Sequence, residues 1–156
     1  MQKAAIIDQF IFQLRAELQS LTRAAQDAFA AATDPDSKAE NKYDTRTLEA
    51  SYVARGQAKR VTELQEAVRA FEALSGNELA AGVAISLGAL VSLETPEETA
   101  HYFIGPFAGG TEIVHEGSEI VVITPASALG QKLLGRRVGA AVALRPGALA
   151  EIIAVV

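Results

Sequence analysis

The chain has 156 residues, 49% hydrophobic and 21% charged, with a formal net charge of −5. That is an ordinary globular composition, long enough for one domain or two small ones. Cysteine is absent and histidine occurs only at His101 and His115, which excludes disulfides, thiolate chemistry and any histidine motif with metal-ligand spacing. The acidic balance argues against a general DNA binder, which needs many phosphate-neutralising cations.

Residues 3 to 32 contain few helix breakers. A 3-4 spacing of apolar residues runs through Ile7, Ile11, Leu14, Leu18, Leu21, Ala25, Ala28 and Ala32, which is a heptad seam. Pro35 forbids continuation, and Asp34-Pro35 favours a turn. Ser37 with Glu40 three residues later is a capping-box signature for a second helix, predicted over about 38–74. Its seam reads Tyr43, Thr47, Ala50, Ala54, Gln57, Val61, Leu64, Val68 and Phe71. Folding the seams together about Pro35 sets Leu64 opposite Ile7, Val61 opposite Ile11 and Ala54 opposite Leu18. The expected element is an antiparallel coiled-coil hairpin over 1–75 with an acidic tip. Gly56 interrupts the second helix and is read either as a bend or close contact, or as a tolerated residue.

The pattern changes at Ser75-Gly76-Asn77, a helix stop. Strand-like segments follow at Val83–Leu93, Thr99–Ile104, Glu119–Thr124, Ala140–Leu144 and Glu151–Val156. Ser127–Leu134 reads as a short helix ending at Gly135, and Pro146-Gly147 as a turn. Four or five strands with one helix predict a small α+β domain over 76–156. The fold class is therefore α+β. The longest apolar stretches are short and broken by Gly and Ser, so no membrane span or secretory leader is expected. A cytoplasmic location is the default expectation.

No nucleophile elbow or phosphate-cradling loop occurs in the C-terminal half. At the tip, Asp36, Glu40 and Asp44 are spaced i, i+4, i+8, and Lys38, Lys42 and Arg46 fall on the opposite face. Two accounts fit. Acids at a helix N-terminus favour the macrodipole and complete a capping box; adjacent carboxylates can also hold a divalent cation through oxygen ligands.

The run Ser127-Ala128-Leu129-Gly130-Gln131-Lys132-Leu133-Leu134-Gly135-Arg136-Arg137-Val138-Gly139 resembles the C-terminal segment of the Gre family of bacterial transcription elongation factors, of the type Ser-Pro-Leu-Gly-x-x-Leu-Leu-Gly-Lys-Lys-x-Gly-Asp. Glu40-Asn41-x-Tyr43 is similar to that family's tip motif, one residue shorter. Ala128 stands where the family has proline, and Ser37 where it has its first tip acid, with Asp36 beside it.

The resemblance implies a coiled coil followed by an FKBP-like domain. It implies that Pro125, Ser127, Ala128, Leu129 and Gly130 meet bacterial RNA polymerase, and that the coiled coil enters the secondary channel. It further implies that Asp36 and Glu40, assisted by Asp34 and Asp44, help the polymerase hold Mg²⁺ near the nascent RNA. Backtracked RNA is then cleaved by two-metal hydrolysis. The factor would be no enzyme itself. It would hold no tightly bound cofactor and would recognise neither sequence-specific DNA nor a membrane.

Three other readings stand beside this one. The first is a channel-binding regulator of polymerase without cleavage. The second is a peptidyl-prolyl isomerase using Tyr102, Phe103 and Phe107. The third is a coiled-coil adaptor, in which most basic residues of the second helix form a solvated face.

Overall fold

The computed structural model describes residues 1–37 and 46–156. Helix α1 spans Lys3–Thr33, and a 3-10 turn follows at Pro35–Ser37. Helix α2 is described over Arg46–Glu72. Strands β1 (Leu90–Glu94), β2 (Thr99–Ile104), β3 (Glu112–His115) and β4 (Ser118–Ile123) come next, then helix α3 (Ala128–Leu133), β5 (Ala141–Arg145) and β6 (Ala148–Val155). The architecture is α+β. Among the described residues no helix is long and apolar enough to cross a membrane.

Both seams are borne out by burial where side chains are described, which leaves out Ala32, Thr47 and Ala50. In α1 the sheltered positions from Ile7 on are Ile7, Ile11, Leu14, Leu18, Leu21, Ala25 and Ala28, with Phe10 and Thr22 off the seam, and in α2 they include Ala54, Gln57, Val61, Leu64, Val68 and Phe71. The expected start of the second helix, with Tyr43, lies outside the described residues.

The register is a correction. The rings of Phe10 and Phe71 lie 5.8 Å apart, and Arg60 meets Glu17 at 3.5 Å. These contacts run antiparallel, as expected, but lie farther along α2 than a fold about Pro35 would place them, by about ten residues at Phe71 and about five at Arg60. Apolar spacing alone does not fix which layers of the two seams meet.

The chain divides into two compact units. One is Met1–Ile11 together with Ala70–Val156; the other is Phe12–Arg69. The division therefore does not fall at residue 75. The first turns of α1 and the last of α2 cluster with the sheet because Phe10 and Phe71, both fully buried, close on Phe103 of β2 at 5.5 and 5.8 Å. Lys3, almost fully buried in the same unit, has its ammonium held below the ordinary lysine range by burial, with Glu78 acting the other way.

The sheet has six strands in the order β3-β4-β2-β1-β6-β5. Only the β2–β4 pairing is parallel. On one face Val91, Leu93, Ile104, Val142 and Ile152 pack with Leu133 of α3 and with Ile85 and Ala89. Val91 and Leu93 alternate with Leu90 and Ser92, and all four are buried. Cover on both faces explains why this stretch of the chain reads as a nearly continuous apolar run.

Of the expected strand Val83–Leu93, only residues from Leu90 form a strand. The preceding residues are irregular, with Ile85 bonded to the backbone of Gly135 and Arg136. β3 was not expected. It is four residues long and buries one of them, Ile113, so its alternation is too short to register. Its partner is set by Glu116 and Gly117, both left-handed at φ 51° and 82°, the two-residue hairpin geometry whose twist suits β-strands. The α3 helix and the β5–β6 pair around Pro146-Gly147 agree with expectation.

Candidate functional site

The sequence singles out two places, one in each unit. The first is the segment from Thr124 to Gly139. Ser127 caps α3: its Oγ accepts from the Gly130 amide at 3.0 Å and donates to the Thr124 carbonyl at 2.8 Å. That cap satisfies an otherwise orphaned helix donor. Gly130 is buried, and a Cβ built on it would lie 2.0 Å from the Thr124 carbonyl oxygen. No larger side chain fits there while the cap holds. Leu133 is fully buried in the sheet's core.

The chain then leaves α3 through Gly135 (φ 78°) and reaches β5 through Gly139 (φ 86°). Gly135 N–H donates to Ile85 O at 2.9 Å, and Gly139 N–H donates to Ile152 O at 2.8 Å.

The structure thus separates the five residues expected to meet a partner. Ser127 and Gly130 shape the turn. Ala128 is exposed, and Pro125 and Leu129 are half-buried. Ala128 and its neighbour Ala126 are the side chains the turn exposes. Sequence reasoning passed over the two residues that the following loop exposes most conspicuously, Arg136 and Arg137. One signal was readable: no Asp or Glu occurs between Glu119 and Glu151.

The second place is the acidic turn. Asp34 and Asp36 are both exposed, and the Asp36 amide donates to Asp34 Oδ1 at 2.9 Å. This local bond competes with helix and stabilises a turn after Pro35's neighbour. Asp36 therefore sits in the 3-10 turn, outside α2 as described. Glu40 and Asp44, with the rest of the expected stripe, lie outside the described residues. So the structure brings Asp34 and Asp36 together; Pro125, Ser127, Ala128, Leu129 and Gly130 form a separate group in the other unit.

Among the described residues no group of three or more His, Asp or Glu side chains is placed to hold a metal ion. Asp34 and Asp36 offer the oxygen donors that Mg²⁺ prefers. One of Asp34's oxygens is already engaged by the Asp36 amide, which leaves the Asp36 carboxylate as the open donor.

A cavity of about 380 Å³ lies at the start of β2, lined by Glu98, His101, Tyr102, Ser118 and Glu119 among others. Burial and then the nearby Glu98 carboxylate hold the Tyr102 phenol above its ordinary range. His101 Nδ1 bonds with Ser92 Oγ at 2.8 Å, and Ser92 is buried. Burial, followed by the chain's N-terminal ammonium, lowers the His101 pKa from 6.5.

A group with a depressed folded pKa binds fewer protons when folded than when unfolded, and stability then falls as pH falls. Above pH 6.5 both states are neutral at this position and it contributes no slope. Below 6.5 the unfolded chain takes up a proton that the folded chain resists. Urea unfolding at stepped pH is expected to show stability declining below that point. His101→Asn, which keeps a partner for Ser92, should flatten the decline; an unchanged profile would show that His101 does not cause it.

No family model matches the chain, and no curated protein matches it significantly. Solved structures are similar to it along nearly the whole chain. The crystal structure of GreA factor homolog 1 (Gfh1) of Thermus thermophilus aligns with 100% of this chain and 96% of its own, at 21% identity and a TM-score of 0.39. Thermus aquaticus Gfh1 aligns with 99% of this chain and 96% of its own, at 22% identity and the same TM-score, 0.39. A further structure, of the transcription factor Gfh1, aligns with 99% of this chain and 94% of its own, at 21% identity and 0.37.

Proposed function

We propose that the chain is a Gre-like factor that binds bacterial RNA polymerase, enters its secondary channel with the helix pair and promotes cleavage of backtracked RNA. The observation that carries this reading is the local coherence of the segment Ser127–Gly139. Ser127 caps, Gly130 admits no side chain, Leu133 fills the core, and Gly135 and Gly139 take left-handed backbone. The positions that match the Gre segment are thus the ones this turn requires, so the resemblance has a physical basis. In this reading Pro125, Ala128 and Leu129 face the polymerase, on a domain that the resemblance would make FKBP-like. The protein acts in the cytoplasm and is not itself an enzyme.

The chemistry belongs to the polymerase. Its Mg²⁺ would clamp the reacting phosphate oxygens and activate water. The chain's own part is to place carboxylate oxygens beside that centre, with Asp36 as the open donor in the described turn and Glu40 as its partner. Nascent RNA lies near them.

The test is a stalled, backtracked elongation complex. Addition of the protein is expected to shorten the RNA, and Asp36→Asn to slow shortening on the order of tenfold or more. No shortening at all, with polymerase still bound, would favour a regulator that occupies the channel without cleavage. One observation favours that second reading: Asp36 sits in the turn, next to Ser37 at the family's acid position. The isomerase reading has less support, since Phe103, one of its three aromatic residues, is fully buried against Phe10 and Phe71.

A further inference from the structure

The loop Gly135–Gly139 is a small surface held in place at both ends. Backbone hydrogen bonds join Gly135 and Arg136 to Ile85, and Gly139 to Ile152. Arg137 Nη1 donates to the Gly82 carbonyl. These bonds lay residues 82–85 alongside residues 135–137. Val83 is 38% exposed and Val138 50%, so each run presents an exposed aliphatic side chain, with Arg136 and Arg137 exposed between them. Lys132, on α3, donates to the Ala143 carbonyl at 2.8 Å. Among the described residues the Arg136 guanidinium has no partner.

Charge is segregated here. The chain as a whole carries −5, yet from Ile120 to Ala150 every charged residue is a cation: Lys132, Arg136, Arg137 and Arg145. Residues 82–89 carry no charge at all.

From this geometry we infer that the Gly135–Gly139 loop, with Val83, is a second docking element for the polymerase. It seats an acidic protein surface that also offers apolar contact. The inference rests on the reading above and extends its interface beyond Ala128. Fixed ends lower the ordering cost of binding, and an unpaired cation beside aliphatic side chains suits an acidic protein patch more than a phosphate backbone. Non-specific nucleic-acid binding draws on roughly six to ten phosphate contacts. Only four cations lie in this stretch, and two of them already serve backbone carbonyls. Neither run holds an aromatic residue on which a base could stack.

The experiment measures binding of the full chain to bacterial core RNA polymerase at low and high salt. Arg136→Glu is expected to weaken binding about tenfold or more, and Arg136→Ala to weaken it less and to flatten its salt dependence. Val138→Asp should weaken it as well. Arg145→Glu, in the β5–β6 hairpin, should bind as the parent does. Melting temperatures of these exposed variants should match the parent.

If Ala128→Asp abolishes binding while Arg136→Glu binds normally, the functional reading survives and the docking element does not. A parent protein that fails to bind polymerase removes both. Retained polymerase affinity in Arg136→Glu with lost binding to a single-stranded RNA oligomer would make nucleic acid the occupant and overturn the inference.

Discussion

Phe103→Ala is expected to destabilise the protein by about 3–5 kcal/mol, the range for emptying a fully buried aromatic site. Phe103 is completely buried and closes a triangle of rings with Phe10 at 5.5 Å and Phe71 at 5.8 Å. Truncation removes dispersion contacts to two neighbours that belong to different helices, so collapse of one cannot fill the void for both. Aromatic pairs of this separation add about 0.5–1.5 kcal/mol beyond area burial. Urea unfolding followed by circular dichroism reads the loss. Phe103→Leu should recover part of it, because it refills most of the volume. A loss under about 1 kcal/mol for the alanine variant would mean that the cluster does not anchor the helix ends to the sheet.

The second large effect is at Gly130. Alanine there would set its Cβ 2.0 Å from the Thr124 carbonyl oxygen and 3.0 Å from Ser127 Oγ. Backbone conformation is not the difficulty, since Gly130 lies within α3. The obstacle is a backbone atom that cannot swing aside. Overpacking of this kind costs about 1–3 kcal/mol and occasionally more, and here relief requires breaking the Ser127 cap, worth about another 1 kcal/mol.

Gly130→Ala is therefore expected to lower stability by about 3 kcal/mol and to weaken polymerase binding, because the turn that presents Ala128 is displaced. Hydrogen exchange separates the two levels. If the strain is relieved locally, the Gln131 and Leu134 amides, which bond to Ser127 and Gly130, lose protection while the strands keep theirs. Wild-type stability with unchanged protection would show that the space exists.

Much of this fold is legible in the sequence, and what is hidden has definite causes. The helical seams can be read residue by residue, since burial leaves a period that solvent exposure does not erase. Their register cannot, because the apolar pattern does not choose which layers meet and the deciding contacts, Phe10 with Phe71 and Glu17 with Arg60, are long-range. The bridging role of Phe10 is hidden for a related reason: it lies off the predicted seam of α1, and its partners Phe71 and Phe103 are distant in sequence. Strand β3 escapes notice because four residues hold too few alternations.

Gly56 resolves in favour of the plainer reading. α2 continues through it, and nothing lies within 4 Å of where its Cβ would be. At the candidate site, Gly130 could be named from its motif, but the reason for it, a carbonyl six residues earlier, is purely three-dimensional. Asp36 lies in the turn before the second helix, where Asp34-Pro35 was expected to put one, and the Asp34 side chain binds its amide there.

The compact unit that contains the sheet is assembled from two stretches of chain, residues 1–11 and 70–156. The helical remainder is in effect an insertion, entering after Ile11 and returning before Ala70. A cut at residue 75 would discard Phe10 and Phe71 and leave the sheet's inner aromatic surface bare. A fragment that joins residue 11 to residue 70 through a short flexible bridge would keep that surface covered. Each junction between the two units lies inside a helix, α1 at Ile11 and α2 at Ala70.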